Sequence, residues 1–166
     1  MKAHPIASFA LALLLALAAP LKAAPIHDAA KKGDVAEVRR LLDEGADVNA
    51  INEEKGERTD GATPLIMAMA LPHTNTSNNI INKELVKLLL ERRADVNIQS
   101  SYGLTALMWS AIRGQNKQNR EIFDLLLQKG AVIDNHKTAS GDTITDLVGD
   151  HIGDLFLNPS HPHRSG

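Results

Sequence analysis

The chain has no cysteine in its 166 residues, and its aromatics come to one tryptophan, one tyrosine and three phenylalanines. Without cysteine it can form no disulfide, no zinc–thiolate centre and no lipid-modified N-terminal cysteine, so packing alone must hold the fold together. An excess of either charge is also missing: 18 Lys and Arg face 20 Asp and Glu, a formal net charge of −2. Affinity for nucleic acid is dominated by Lys and Arg contacts to phosphate, so this balance argues against a nucleic-acid partner. Catalytic signatures are absent as well. The sequence carries no phosphate-cradling Gly-rich loop, no Gly-x-Ser-x-Gly elbow and no His-Glu-x-x-His helix. Asp142, Asp146, Asp150 and Asp154 recur at a four-residue spacing that would align carboxylates on one helix. Gly149 and Gly153 break that helix. No enzyme, no cofactor and no metal site is expected, an enzyme or metal-binding protein built on this C-terminal Asp/His cluster being the third-ranked alternative.

The apolar run Ile6 to Ala19 is too short to span a bilayer comfortably. With Met1-Lys2 before it and the small residues Ala23 and Ala24 behind, residues 1–23 read as a secretory signal peptide cleaved after Ala23. An exported chain without cysteine is expected in a bacterial periplasm, with onward secretion as the alternative. No stable membrane insertion is expected after cleavage. Residues 1–23 hold Lys2 and Lys22 and no acid, so the remaining chain has four more acidic than basic residues. Its length suits one domain.

What is present is one phrase written three times. Leu41-Leu42-Asp43-Glu44-Gly45-Ala46-Asp47-Val48-Asn49 returns as Leu89-Leu90-Glu91-Arg92-Arg93-Ala94-Asp95-Val96-Asn97, and again as Leu126-Leu127-Gln128-Lys129-Gly130-Ala131-Val132-Ile133-Asp134. Each copy follows a short opener: Ala24-Pro25-Ile26-His27, Thr63-Pro64-Leu65-Ile66 and Thr105-Ala106-Leu107-Met108. Thr63 and Thr105 suit the N-cap, and Pro64 sits at the first helical position, where its missing N–H had no partner anyway. A second helix then carries an aliphatic stripe, Leu85 to Leu90 in one copy and Ile122 to Leu127 in the next. Gly45 and Gly130 end that helix in the left-handed conformation that glycine adopts cheaply.

These residues resemble the ankyrin-repeat family over residues 24–157. The resemblance implies an all-α, ankyrin-repeat solenoid of stacked helix–turn–helix units joined by short β-hairpin fingers. The units fall at about 24–56, 57–100 and 101–138, with a partial C-terminal cap at 139–157, and residues 158–166 read as a disordered tail. The family's opener pairs a Thr with a His; here His27 faces Ala24, while Thr63 and Thr105 face Ile66 and Met108, so that local network should be weaker throughout. Glu37 and Arg40 stand where later copies carry Leu85/Leu88 and Ile122/Leu125, which suits a terminal repeat with a polar outer face and nothing stacked before it.

Such a scaffold presents a surface, so the resemblance implies a non-catalytic protein-binding module, expected to be a monomer. One version is a periplasmic partner that restrains or protects an envelope protein; another is a secreted effector engaging host proteins. The family's usual contact surface, finger tips and the open face of the first helices, maps to Lys31, Lys32, Asp60, Ala62, Ala70, Leu71, Ser101, Tyr102, Leu104, Ile112 and Arg113. Tyr102, Leu104, Ile112 and Arg113 form the expected anchor cluster, since aromatic and Arg side chains dominate interface energetics. Trp109, within a first helix, is expected to pack between repeats. Three insertions stretch the family period of about 33 residues: the charged first finger, Ile51 to Asp60, and two Asn-rich turns, Pro72 to Asn79 and Gly114 to Asn119.

The register makes a test. Arg93 takes the place of Gly45 and Gly130, and a side chain in the left-handed region costs on the order of 1 kcal/mol. Arg93→Gly is therefore expected to raise the thermal unfolding midpoint by a few degrees. An unchanged or lower midpoint would refute the alignment of the copies.

Overall fold

A computed structural model describes residues 24–53, 59–70, 80–113, 116–133, 138–141, 143 and 146. The expected signal peptide, the tail, most of the partial cap, residues 54–58 of the first finger and the expected Asn-rich turn Pro72 to Asn79 lie outside those residues. Six helices are described: α1 (Ala24–Lys32), α2 (Val35–Asp43), α3 (Pro64–Ala70), α4 (Lys83–Glu91), α5 (Ala106–Ile112) and α6 (Lys117–Gln128). They pair as α1/α2, α3/α4 and α5/α6. The first members pack side by side in one row, α1 on α3 on α5, and the second members in another, α2 on α4 on α6. Stacked helical hairpins are what three copies of one amphipathic unit must build, because no unit can bury its apolar stripe alone.

Local chemistry starts each helix. Asp34, Asn82 and Asn116 cap α2, α4 and α6 by accepting from the backbone N–H of Glu37, Leu85 and Asn119 at 3.0, 3.2 and 2.9 Å. Thr63 and Thr105 accept from Ile66 and Met108 at 3.3 and 3.2 Å, as their opener positions predict. Thr143 and Asp146 exchange reciprocal bonds: the Thr143 backbone N–H donates to Asp146 at 2.7 Å and the Asp146 N–H to the Thr143 hydroxyl at 3.3 Å. That is a capping box, and it marks the degenerate fourth opener.

The three copies of the repeated phrase end their helices identically. Ala46, Ala94 and Ala131 each donate 2.9 Å bonds to the carbonyls of Leu41, Leu89 and Leu126, five residues back. Gly45, Arg93 and Gly130 donate to the carbonyls of Leu42, Leu90 and Leu127, closing a Schellman motif three times. Their φ values are 93°, 65° and 89°, and Arg93 is the only non-glycine with positive φ among the described residues. The alignment of the copies is thereby a structural fact, and the strain at Arg93 is real.

The units are coupled at both ends. On the finger side, the Asn49 side-chain carbonyl accepts from the Asp95 N–H at 2.8 Å, and Asn97 does the same for Val132 at 2.9 Å. Asn97 also donates to the Gly130 carbonyl at 3.1 Å. Asp47 and Asp95 hold those asparagines in place by accepting their backbone N–H groups at 2.9 Å. On the opposite side, buried Asn119 accepts from the Ile81 N–H at 3.0 Å and donates to the Arg113 carbonyl at 2.5 Å. Gln118 donates to the Ile81 carbonyl at 3.0 Å, and Asn82 to Gly33 at 3.2 Å. The described end of the second Asn-rich turn is therefore fastened against the preceding unit.

Two expectations need correcting. The fingers are not β-hairpins among the described residues, where no strand occurs. The Asn52 backbone N–H donates to the Ala62 carbonyl and its carbonyl accepts from the Gly61 N–H, at 2.9 Å each. Each finger bonds to the next: the Ser101 N–H donates to the Asp60 carbonyl at 2.9 Å and the Ala139 N–H to the Tyr102 carbonyl at 2.7 Å. Gly61 is required by that contact, since a Cβ there would lie 2.5 Å from the Ser101 hydroxyl. The second correction concerns His27, whose polar network is replaced rather than weakened. Its buried Nε2 donates to the Ala50 carbonyl at 2.8 Å, tying the first helix to the base of its own finger.

Leu85, Leu88 and Ile122 are fully buried, whereas Glu37 is half-buried and Arg40 exposed at the matching positions. Arg40 bridges Glu37 at 2.6 Å and Glu44 at 2.5 Å, and its hydrogen bonds hold the Glu37 carboxyl below the usual glutamate range. Arg92 pairs with Asp43 at 2.8 Å and Lys83 with Glu121, linking second helices across neighbouring units.

Asn119 carries the helical-end coupling. Asn119→Leu would leave the Ile81 N–H and the Arg113 carbonyl short of a partner, at about 1–3 kcal/mol for each buried group. Denaturant unfolding is expected to show at least ~2 kcal/mol lost, and a near-neutral substitution would disprove that role.

Candidate functional site

The inner row of helices and the fingers above it form the face on which the expected contact residues fall. Lys31 is half-buried and Lys32 exposed near the end of α1, and Asp60 is half-buried at the first finger. Ala62 and Ala70 are buried, so neither offers a surface. Leu71 lies outside the described residues. Ser101 and Tyr102 are exposed at the second finger, Leu104 is half-buried beneath it, and Ile112 is exposed at the end of α5.

Arg113 departs most from expectation. Its side chain is only 8% exposed, and its guanidinium Nη2 donates to the Ala70 carbonyl at 2.5 Å. Ala70 is the last residue of α3, so a cation meets a carbonyl at the negative end of a helix. Burial lowers the Arg113 pKa from its ordinary value. This arginine fastens α5 to α3 and is not a free anchor for a partner.

The rest of the expected cluster does converge. Tyr102, Leu104 and Ile112 line a cavity of about 420 Å³. Trp109, one helical turn before Ile112, forms another part of its wall. Thr138, Ala139 and Ser140 close the rim from the next finger. The volume falls in the range of small-molecule and side-chain pockets. Among the described residues its lining holds no charged side chain.

Two elements of this site escaped the sequence. Trp109 was assigned to packing, and at 7% exposure it does pack, but it also walls the cavity. Its three-residue offset from Ile112 is the signal that puts both on one face of α5. The Thr138–Ser140 rim was hidden by its unrelated residues; aligning Gly103 with Gly141, both at positive φ, superimposes Tyr102 on Ser140. The Trp109 indole N–H is buried with no acceptor among the described residues. Among the described residues there is no cluster of three or more His, Cys, Asp or Glu able to hold a metal, and no helix long and apolar enough to cross a membrane.

Comparison with known proteins agrees with this architecture. A family model described as ankyrin repeats, in three copies, matches residues 26–138. The chain is 37% identical over 124 residues to the ankyrin repeat and SAM domain-containing protein 6 of Rattus norvegicus, and equally to that of Mus musculus. The match takes in 74% of this chain and only 12% of those relatives' length. The chain belongs to the ankyrin-repeat family, whose stacked units serve as protein–protein interaction modules and generally as non-catalytic scaffolds.

The placement of Arg113 has a consequence for stability. A bond from a charged donor to a buried carbonyl is worth about 1.5–3 kcal/mol. Arg113→Met is expected to lower the thermal unfolding midpoint by several degrees, and an unshifted midpoint would return Arg113 to the contact surface.

Proposed function

We propose that this chain is a non-catalytic binding protein that holds one protein partner against the groove formed by Tyr102, Leu104, Trp109 and Ile112. The observation that carries the reading is the convergence of the only tyrosine, the only tryptophan and an exposed isoleucine on one concavity, with no charged side chain among its described lining residues. Aromatic side chains at the centre of a desolvated patch are where binding energy concentrates. Ser101, next to Tyr102, bonds to Asp60 on the neighbouring finger, and Lys32 is exposed near the end of α1.

The partner is an envelope protein of a bacterial periplasm, which this chain restrains or protects. What supports this setting is the apolar run Ile6 to Ala19 between Met1-Lys2 and Ala23, together with the absence of cysteine. Secretion onward to engage host proteins is the alternative. The chain acts as a monomer in this reading, because a rigid stack offers its face without a second copy.

Affinity capture from periplasmic extract tests both the face and the setting. Tyr102→Ala with Ile112→Ala is expected to reduce recovery of the partner at least about tenfold, while circular dichroism stays unchanged. Equal recovery would exclude this groove as the contact face. Fractionation of the native organism tests location, and protein found chiefly in the culture medium would exclude the periplasmic setting.

A further inference from the structure

No further inference is drawn: the strongest candidate, the apolar edge at the end of the third unit where Val132 and Ile133 stay exposed while Val96, at the position matching Ile133, is buried, carries nothing because nothing in the structure shows what covers it.

Discussion

The structure depends on an asparagine reaching from one unit to the next. Asn49 accepts the Asp95 N–H, and Asn97 accepts the Val132 N–H while donating to Gly130. Each bond joins the same position of one copy to the same step of the next, so the stacking register has one solution. Apolar stripes alone would not do this, because burial is non-directional and tolerates sliding. The preceding aspartate in two of the copies holds the asparagine by its backbone N–H, which explains why Ala-Asp-Val-Asn travels as a unit. Opposite the fingers, Asn119 and Gln118 seize both backbone groups of Ile81 and prevent the helical ends from splaying.

The groove is a by-product of that register. Finger-to-finger bonds from Ser101 to Asp60 and from Ala139 to Tyr102 set the height of each tip above the inner helices. Tyr102 and Leu104 on one finger, Thr138 to Ser140 on the next, and Trp109 and Ile112 below thus enclose one concavity. Arg113 belongs to the scaffold beneath, where its bond to Ala70 keeps α5 against α3. The groove is thereby braced by bonds between fingers and helices, and a braced surface loses less conformational entropy on binding.

Much of this was legible beforehand, and the reason is locality. Thr63, Thr105 and the left-handed trio Gly45, Arg93 and Gly130 act within one helical turn of themselves, so spacing alone locates them. The polar pair Glu37 and Arg40 was readable for a similar reason, by comparison with aligned copies. The groove was only half legible. Tyr102, Leu104 and Ile112 reached the groove as their register implied, whereas Ala62, Ala70 and Arg113 were buried by neighbours that register does not specify.

The sequence by itself determined the unit, its caps, its strained arginine and the order of stacking, since each follows from residues three to five apart or from one copy laid on another. Only the tertiary structure decided which polar side chains are scaffold and which are surface. Arg113 meets a carbonyl 43 residues away, Asn119 an N–H 38 residues away, and His27 a carbonyl 23 residues away. Residues so far apart become neighbours only after the units have stacked, and no periodicity within a unit encodes the meeting.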